Sequence, residues 1–381
     1  MREWRVPLTD QNLRKFQDKL LGWFRRCQRE MPWRRTRDPY CIWLSEIMLQ
    51  QTRVAAAIPY YERFLETFPN VRALAGAREE EVLRLWAGLG YYSRARNLQR
   101  AAREIVERHG GEFPREFAEA LALPGIGNYT AAAILSIAHG APHAVLDGNV
   151  ARVIARLEAI RGDLREPRRW RALQTSADRL LEVSHAGDWN QAMMELGATV
   201  CTPRGPDCAN CPVGGFCRAR QLGLAEKLPE KRRKRAAEKV HLAVAVFLDP
   251  AGKTLLLPAG PTKKGAGKKA ERDAEKNSEI SALFSGMWHF PALAVRKDAR
   301  AELRRFLQTL GGAAMASGAK WMALPALRHA VTYREITITA FAVGVKKLTD
   351  SRTGRILPLR KLNSLGVSGL TRKIARAAMA R

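Results

Sequence analysis

Apolar side chains recur at helical spacing from the start of the chain. Leu13, Phe16, Leu20, Leu21 and Phe24 mark one face of a helix running from Asp10 to about Glu30. Met31-Pro32-Trp33-Arg34-Arg35 breaks that pattern, and Asp38-Pro39-Tyr40 starts a second helix through Ile42, Trp43, Leu44, Glu46, Ile47, Met48 and Leu49. Further helices are expected over Tyr60 to Phe68, Glu79 to Ala87, Ala95 to His109, Trp170 to Val183 and Asn190 to Val200, so the first part is all-α. After residue 239 the period changes to two. Val240, Leu242, Val244 and Val246, then Leu255 to Leu257, read as strands; Ala301 to Leu310 reads as a helix and Ile336 to Val343 as a strand, giving an α+β domain. The boundaries are a helical domain at 1–225, a basic linker at 226–239 centred on Lys231-Arg232-Arg233-Lys234-Arg235, and a domain at 240–381. A polar, glycine- and lysine-rich insertion at 259–281 is expected to be disordered.

Charge sharpens this picture. The chain has 65 Lys and Arg against 37 Asp and Glu, a formal +28, which points to a polyanionic partner, nucleic acid before membrane. No apolar run is long enough to span a bilayer and no leader is visible at Met1 to Gln11, so a reducing, cytoplasmic setting is expected. Clustered cysteines are then metal ligands before they are disulfides. Cys201, Cys208, Cys211 and Cys217 stand in a C-x6-C-x2-C-x5-C spacing within a Pro/Gly-rich loop. Four thiolates so spaced can close on a tetrahedral zinc or an iron–sulfur cubane; a single Cys-x-x-Cys knuckle favours the cluster. Cys27 and Cys41, in apolar helices, read as inert core.

Three stretches carry candidate chemistry. Leu123-Pro124-Gly125-Ile126-Gly127-Asn128-Tyr129-Thr130 reads as a helix end, a turn whose glycines supply unusual dihedrals, and a helix N-terminus whose bare amides suit a phosphate diester. Asp147 precedes another apolar-periodic run, where a carboxylate is a natural cap. Glu46, on a turn surrounded by apolar residues, should have a raised pKa, as a general acid near neutrality requires. Alone, each has a bland alternative: a connector, a cap, an arginine partner. Gly88-Leu89-Gly90-Tyr91-Tyr92 adds aromatics that could stack on bases beside Arg94 and Arg96, with core filling the competitor for one of the two tyrosines.

With hairpin, Asp147 helix and four-cysteine loop in one order, the first 220 or so residues resemble the helix-hairpin-helix DNA glycosylases that carry a [4Fe–4S] cluster. More narrowly, Trp43 to Thr52, Gly88 to Tyr92 and Asn190 to Ala198 are similar to the MutY-type adenine DNA glycosylases. The C-terminal part is similar to that family's Nudix-like recognition domain through its strand pattern and Gly286-Met287-Trp288-His289-Phe290-Pro291.

The resemblance implies excision of adenine mispaired with 8-oxoguanine by a monomer that flips the nucleotide out of double-stranded DNA. It implies Glu46 as the acid that protonates adenine N7, and Asp147 as the carboxylate kept ionised to face the oxocarbenium-like sugar. Tyr129 and Asn149 would support them, Gln51 would wedge the stack, and Tyr91 would intercalate beside the lesion. Arg29, Trp33, Arg34 and Gln191 would line the adenine pocket, and Gly125 and Gly127 would seat a monovalent cation. Sister lyases hold a lysine where Tyr129 stands; a phenol forms no Schiff base, so a monofunctional enzyme is expected. The family's Phe-Ser-His loop is replaced by Val331-Thr332-Tyr333, leaving Thr332 and Tyr333 to contact the lesion, and no Nudix hydrolase box is found. The rivals are a lyase acting on oxidised pyrimidines, a non-catalytic DNA-binding protein and a nucleotide-pool hydrolase.

Overall fold

A computed structural model describes residues 10–230, 236–258, 284, 287–309, 319–331, 333–348 and 354–380. The basic linker centre, the 259–281 insertion, Gly286 and Thr332 lie outside the described residues. The helices are α1 (Asp10–Cys27), α2 (Pro39–Leu49), α3 (Val54–Thr67), α4 (Val71–Gly76), α5 (Glu79–Trp86), α6 (Ser93–Arg108), α7 (Phe117–Ala122), α8 (Asn128–His139), α9 (Gly148–Leu157), α10 (Pro167–Leu180), α11 (Ala186–Thr199), α12 (Arg218–Gln221), α13 (Ala299–Thr309) and α14 (Gly369–Met379). The strands are β1 (Glu238–Leu248), β2 (Lys253–Pro258), β3 (Trp288–His289), β4 (Ala292–Ala294), β5 (Lys320–Ala323), β6 (Leu327–Val331), β7 (Arg334–Gly344) and β8 (Arg355–Pro358). Among the described residues no helix is long and apolar enough to cross a membrane.

The chain divides into two compact units, one built from residues 10–76 and 97–230, the other from 77–96 and the segments from 236 onward. A contiguous helical domain at 1–225 is therefore corrected. Residues 77–96 join the second unit because their apolar and polar groups are satisfied there. The Tyr92 hydroxyl donates to the Val367 carbonyl (3.3 Å), Arg372 donates to Ala87 O (3.4 Å), and Glu80 pairs with Arg355. Gly366 lies where a Cβ would come 3.2 Å from the side chain of Leu83.

In the helical unit, α2 is apolar on nearly every side. From Tyr40 to Met48 only Cys41 is not buried, as expected of a helix enclosed by others. Asp38 caps it, its carboxylate accepting from Tyr40 N (2.8 Å), and Pro39 fits the first turn, where no amide partner is needed. Around it α8, α9 and α11 close-pack through small residues. A Cβ on Gly187 would fall 2.7 Å from Ser136 O, and one on Gly197 would fall 2.8 Å from Asn149 Cβ. Helix α1 covers α11, with Phe16 edge-on to Trp189 at 5.7 Å.

In the second unit β1 runs parallel to β7 over their whole lengths, in a five-stranded sheet ordered β4-β1-β7-β5 with β6 also on β7; β3-β2-β8 form a smaller sheet. Every residue from Leu242 to Phe247 is buried, so the period-two reading of β1 found the strand but missed that both its faces are covered. The alanines at 243 and 245 disguised the second face. Sequence periodicity also missed α4, α7 and the short strands β4, β5, β6 and β8, which carry too few residues to show a period, and the three-turn helix α14. Cys27 is exposed and Cys41 half-buried, so neither is a core residue.

Because Gly197 lies against Asn149, Gly197→Ala should overpack the α9–α11 contact and cost about 1–3 kcal/mol. A lowered thermal midpoint for the helical unit checks this; an unchanged midpoint would show that the contact gives way freely.

Candidate active site

Between α2, α8, α9 and α11 lies a cavity of about 530 Å³ that joins Glu46 to Asp147, with Tyr129, Asn149, Gln51 and Gln191 in its walls. Glu46 is 6% exposed. Its Oε2 accepts a 2.6 Å hydrogen bond from the Tyr129 hydroxyl, which also lies 3.2 Å from Met194 Sδ. Burial pushes the Glu46 carboxyl up to about 7, with the charge of Asp147 adding to the rise and Tyr129 and Arg34 opposing it. Burial also pushes the Tyr129 phenol well above its ordinary value, so this hydroxyl stays a donor.

Asp147 is the N-cap of α9. Its Oδ1 accepts from Asn149 N (2.9 Å) and Val150 N (2.7 Å), and its Oδ2 from Asn149 Nδ2 (3.0 Å). These bonds and the nearby Arg152 charge hold its pKa down, as polar neighbours were expected to do. Burial nevertheless outweighs them, and the carboxyl sits above its ordinary value. The two carboxyls are thus both raised, Glu46 because only one hydroxyl reaches it and Asp147 in spite of three donors.

Asn149 is held in turn by Arg152, which sequence reasoning missed. Arg152 donates to Asn149 Oδ1 (2.9 Å), Gly197 O (2.7 Å) and Cys201 O (2.8 Å). One turn later, buried Arg156 reaches Cys201 Sγ (3.2 Å) and Thr202 O (2.7 Å). A continuous polar path therefore runs from the four-cysteine loop to Asp147. Both arginines lie on the same face of α9 at i, i+4 spacing, but in so basic a chain that spacing did not stand out.

A third carboxylate, Glu195, was also missed. It is 1% exposed and takes a two-pronged bond from Arg29 (2.6 and 2.9 Å) and one from Arg34 (2.8 Å). Burial alone would raise its pKa; the two guanidiniums overrun that and hold it below the usual carboxylate range. Glu195 fixes Arg29 and Arg34 at the cavity wall, beside Trp33, which packs edge-on to Tyr61 at 5.3 Å. Its signal lay in the spacing Gln191, Met194, Glu195, three positions on one helix face.

Other predicted residues are placed differently. Gly125 has φ +80°, and a Cβ there would meet Asn97 at 2.7 Å; Gly127 has φ −106°, which any residue adopts, so only the first needs its conformation. Gly127 instead leaves open space before the first amides of α8. Gln51 takes the left-handed conformation (φ +58°) at the cavity edge, and Tyr91 does the same (φ +46°) in the second unit. Each stores about 1–3 kcal/mol of strain, which the surrounding structure must offset. Tyr91 is 41% exposed while Tyr92 is buried. Arg94 does not face outward: its guanidinium stacks between Trp86 (5.3 Å) and Tyr91 (5.6 Å), and burial lowers its pKa to about 10. Arg96 pairs with Glu79 at 2.8 Å. Tyr333 is exposed at the β6–β7 turn under the Arg334 guanidinium (5.5 Å).

Because the folded protein holds Glu46 neutral, it loses stability relative to the unfolded chain as pH rises from 4.5 through about 7. Glu46→Gln should remove that loss. The variant should gain on the order of 3 kcal/mol over the parent between about pH 4.5 and pH 8. Denaturant midpoints of the two proteins that run parallel across this range would contradict it.

Residues 44–175 match the HhH-GPD superfamily of base excision DNA repair proteins. The adenine DNA glycosylase of Homo sapiens is 39% identical over 333 residues, 77% of this chain and 60% of its own. That of Mus musculus is 48% identical over 216 residues, 54% of this chain and 42% of its own. The chain thus spans less than two thirds of these relatives. Among solved structures, a thermostable thymine-DNA glycosylase superposes with a TM-score of 0.51 at 28% identity, over 56% of this chain and 98% of that one. Both carboxyls and the hairpin fall inside the span that matches the HhH-GPD superfamily, and over a longer stretch the chain is similar to adenine DNA glycosylases.

Proposed function

We propose that the protein is a monofunctional adenine DNA glycosylase of base excision repair, acting as a monomer on adenine opposite 8-oxoguanine or guanine in double-stranded DNA. The observation that carries this reading is the single cavity shared by a carboxyl raised to about 7 and a second carboxyl capped by a helix N-terminus. Adenine leaves a sugar only when protonated, and the sugar it leaves develops positive charge. Neutral Glu46 donates its proton to N7 of the flipped base, with Tyr129 fixing the carboxyl's orientation. Asp147, in its ionised form, faces the oxocarbenium-like sugar. Its bonds to Asn149 and Val150 hold it in position. Water then completes hydrolysis. Arg29, Trp33, Arg34 and Gln191 shape the base pocket, Gln51 fills the vacated stack and Tyr91 enters the duplex beside the lesion. The hairpin amides at Gly125 and Gly127, with a monovalent cation, take a phosphate.

Among the described residues no lysine lines the cavity, which favours hydrolysis over the lyase reading. The four-cysteine loop suits a [4Fe–4S] cluster. Among the described residues no three His, Cys, Asp or Glu groups are arranged to hold a single metal ion, yet the charges of Cys201, Cys217 and Cys208 all bear on the Cys211 thiol, which burial pushes up to about 11. Bound there, a cluster would close the loop and hold Cys201 and Thr202 where Arg152 and Arg156 reach them. The second unit, a Nudix-like domain in this reading, contacts the lesion through Thr332 and Tyr333.

Glu46→Gln should leave duplex binding intact and lower single-turnover excision by at least about 10²-fold, the usual worth of a general acid. The parent's rate should fall as pH rises past about 7, where Glu46 loses its proton. Strand breaks should appear only after alkali, and adenine opposite 8-oxoguanine should be cut faster than opposite thymine. Excision retained in Glu46→Gln would refute the assignment; equal rates against every partner base would remove the role given to the second unit.

A further inference from the structure

Next to the candidate active site lies a second cavity of about 200 Å³, which shares the lining residues Arg34, Ile137 and Gln191 with the first. Its lining is polar, with the Gln28 amide, the Thr36, Ser136 and Ser184 hydroxyls and the Asp188 carboxylate. It lies along the 3-10 turn Val183–His185, whose side chains are exposed.

Most of this lining is fixed. Arg34 is pinned by Glu195 (2.8 Å) and by the Arg29 carbonyl (2.9 Å). The backbones of α8 and α11 meet closely at Gly187 and Ser136, and buried Asn190 ties them further, donating to Ser136 Oγ (2.8 Å) and His143 O (2.8 Å). Gln191 is held far less tightly. The bond its amide makes to Gly187 O is 3.4 Å long and lies within its own helix. Of the three shared residues, Gln191 is thus a side chain that can move at little cost in hydrogen bonds.

We propose that the second cavity is the exit and holding site for the excised purine base, which passes Gln191 and leaves while the abasic duplex still covers the active site. This rests on the adenine glycosylase reading. A free purine carries ring-nitrogen acceptors and an exocyclic amino donor; the amide, hydroxyls and carboxylate of the second cavity complement both. The first cavity, by contrast, holds the base beside a proton donor and the sugar, where it blocks the next turnover.

The test follows the base and the duplex separately. Full-length enzyme is mixed with duplex tethered to beads and labelled in the target adenine. Label in the filtrate is timed against glycosidic cleavage, scored by alkaline strand scission, and against enzyme remaining on the beads. The expected result is label in the filtrate at the rate of cleavage while enzyme stays bound. Ser184→Trp, which plugs the outer mouth, should slow label release by about tenfold, an added barrier of about 1.4 kcal/mol, with cleavage unchanged. Thr36→Trp, on the same lining, supplies the same plug should Ser184→Trp not fold. Label that stays with the enzyme until it leaves the duplex, or that escapes equally fast from the plugged variants, overturns the proposal while leaving the glycosylase reading intact. No alkali-sensitive site in any sample overturns that reading, and the proposal with it.

Discussion

A 2.6 Å hydrogen bond between the Tyr129 hydroxyl and Glu46 ties the site together, because it joins α8 to α2 at the wall of the cavity. Helix α2 is apolar on nearly all sides and α8 is buried from Thr130 to Ser136, so neither offers the carboxyl a charged partner at contact distance. The carboxyl consequently keeps its proton near neutrality. Were an arginine to reach it, as Arg29 and Arg34 reach Glu195, it would ionise and lose its capacity as an acid. The same chain thus holds three buried or nearly buried acids in one cavity wall and sets them apart by partner: a phenol for one, backbone amides and an amide side chain for the second, two guanidiniums for the third.

The arginines deserve a different reading from the one the overall charge suggests. An excess of 28 positive charges points outward, to a polyanion. Yet Arg34, Arg94, Arg152 and Arg156 are wholly or largely buried and spend their donors on carbonyls, Glu195, a thiol or aromatic faces. Arginine suits this use because its fork satisfies several carbonyls at once and it cannot shed its proton. Arg152 and Arg156 in particular make the geometry around Asp147 depend on the backbone of the cysteine loop.

The longer helices were legible in the sequence because each shows several turns of apolar period or a capping residue, as at Asp38 and Asp147. Short elements were not, nor was the second buried face of β1, where alanines carry little hydropathy. At the site, Glu46, Tyr129, Asp147, Asn149 and Gln191 could be read from local pattern and motif, and the structure brings them to one cavity. Glu195 and Arg152 could not, because their importance comes from what they meet across the fold: Arg29 lies 166 positions from Glu195 and Cys201 lies 49 from Arg152. Gly127 looked like Gly125 on paper, but only the backbone distinguishes a left-handed turn from an ordinary one.

The affiliation of residues 77–96 with the sheet-bearing unit has a bearing on how this chain can be cut. The polypeptide passes between its units three times, at 76/77, 96/97 and near the basic linker, so neither unit is a continuous piece. A fragment ending at the linker would retain α5 but lose the Val367 carbonyl, Arg355 and Arg372 that meet this segment, leaving Val82, Leu83 and Trp86 without part of their cover. Separating the halves by limited proteolysis or gene truncation would therefore yield a sticky fragment, and an intact division needs the intervening segment of twenty residues, α5 included, to be re-engineered along with the cut.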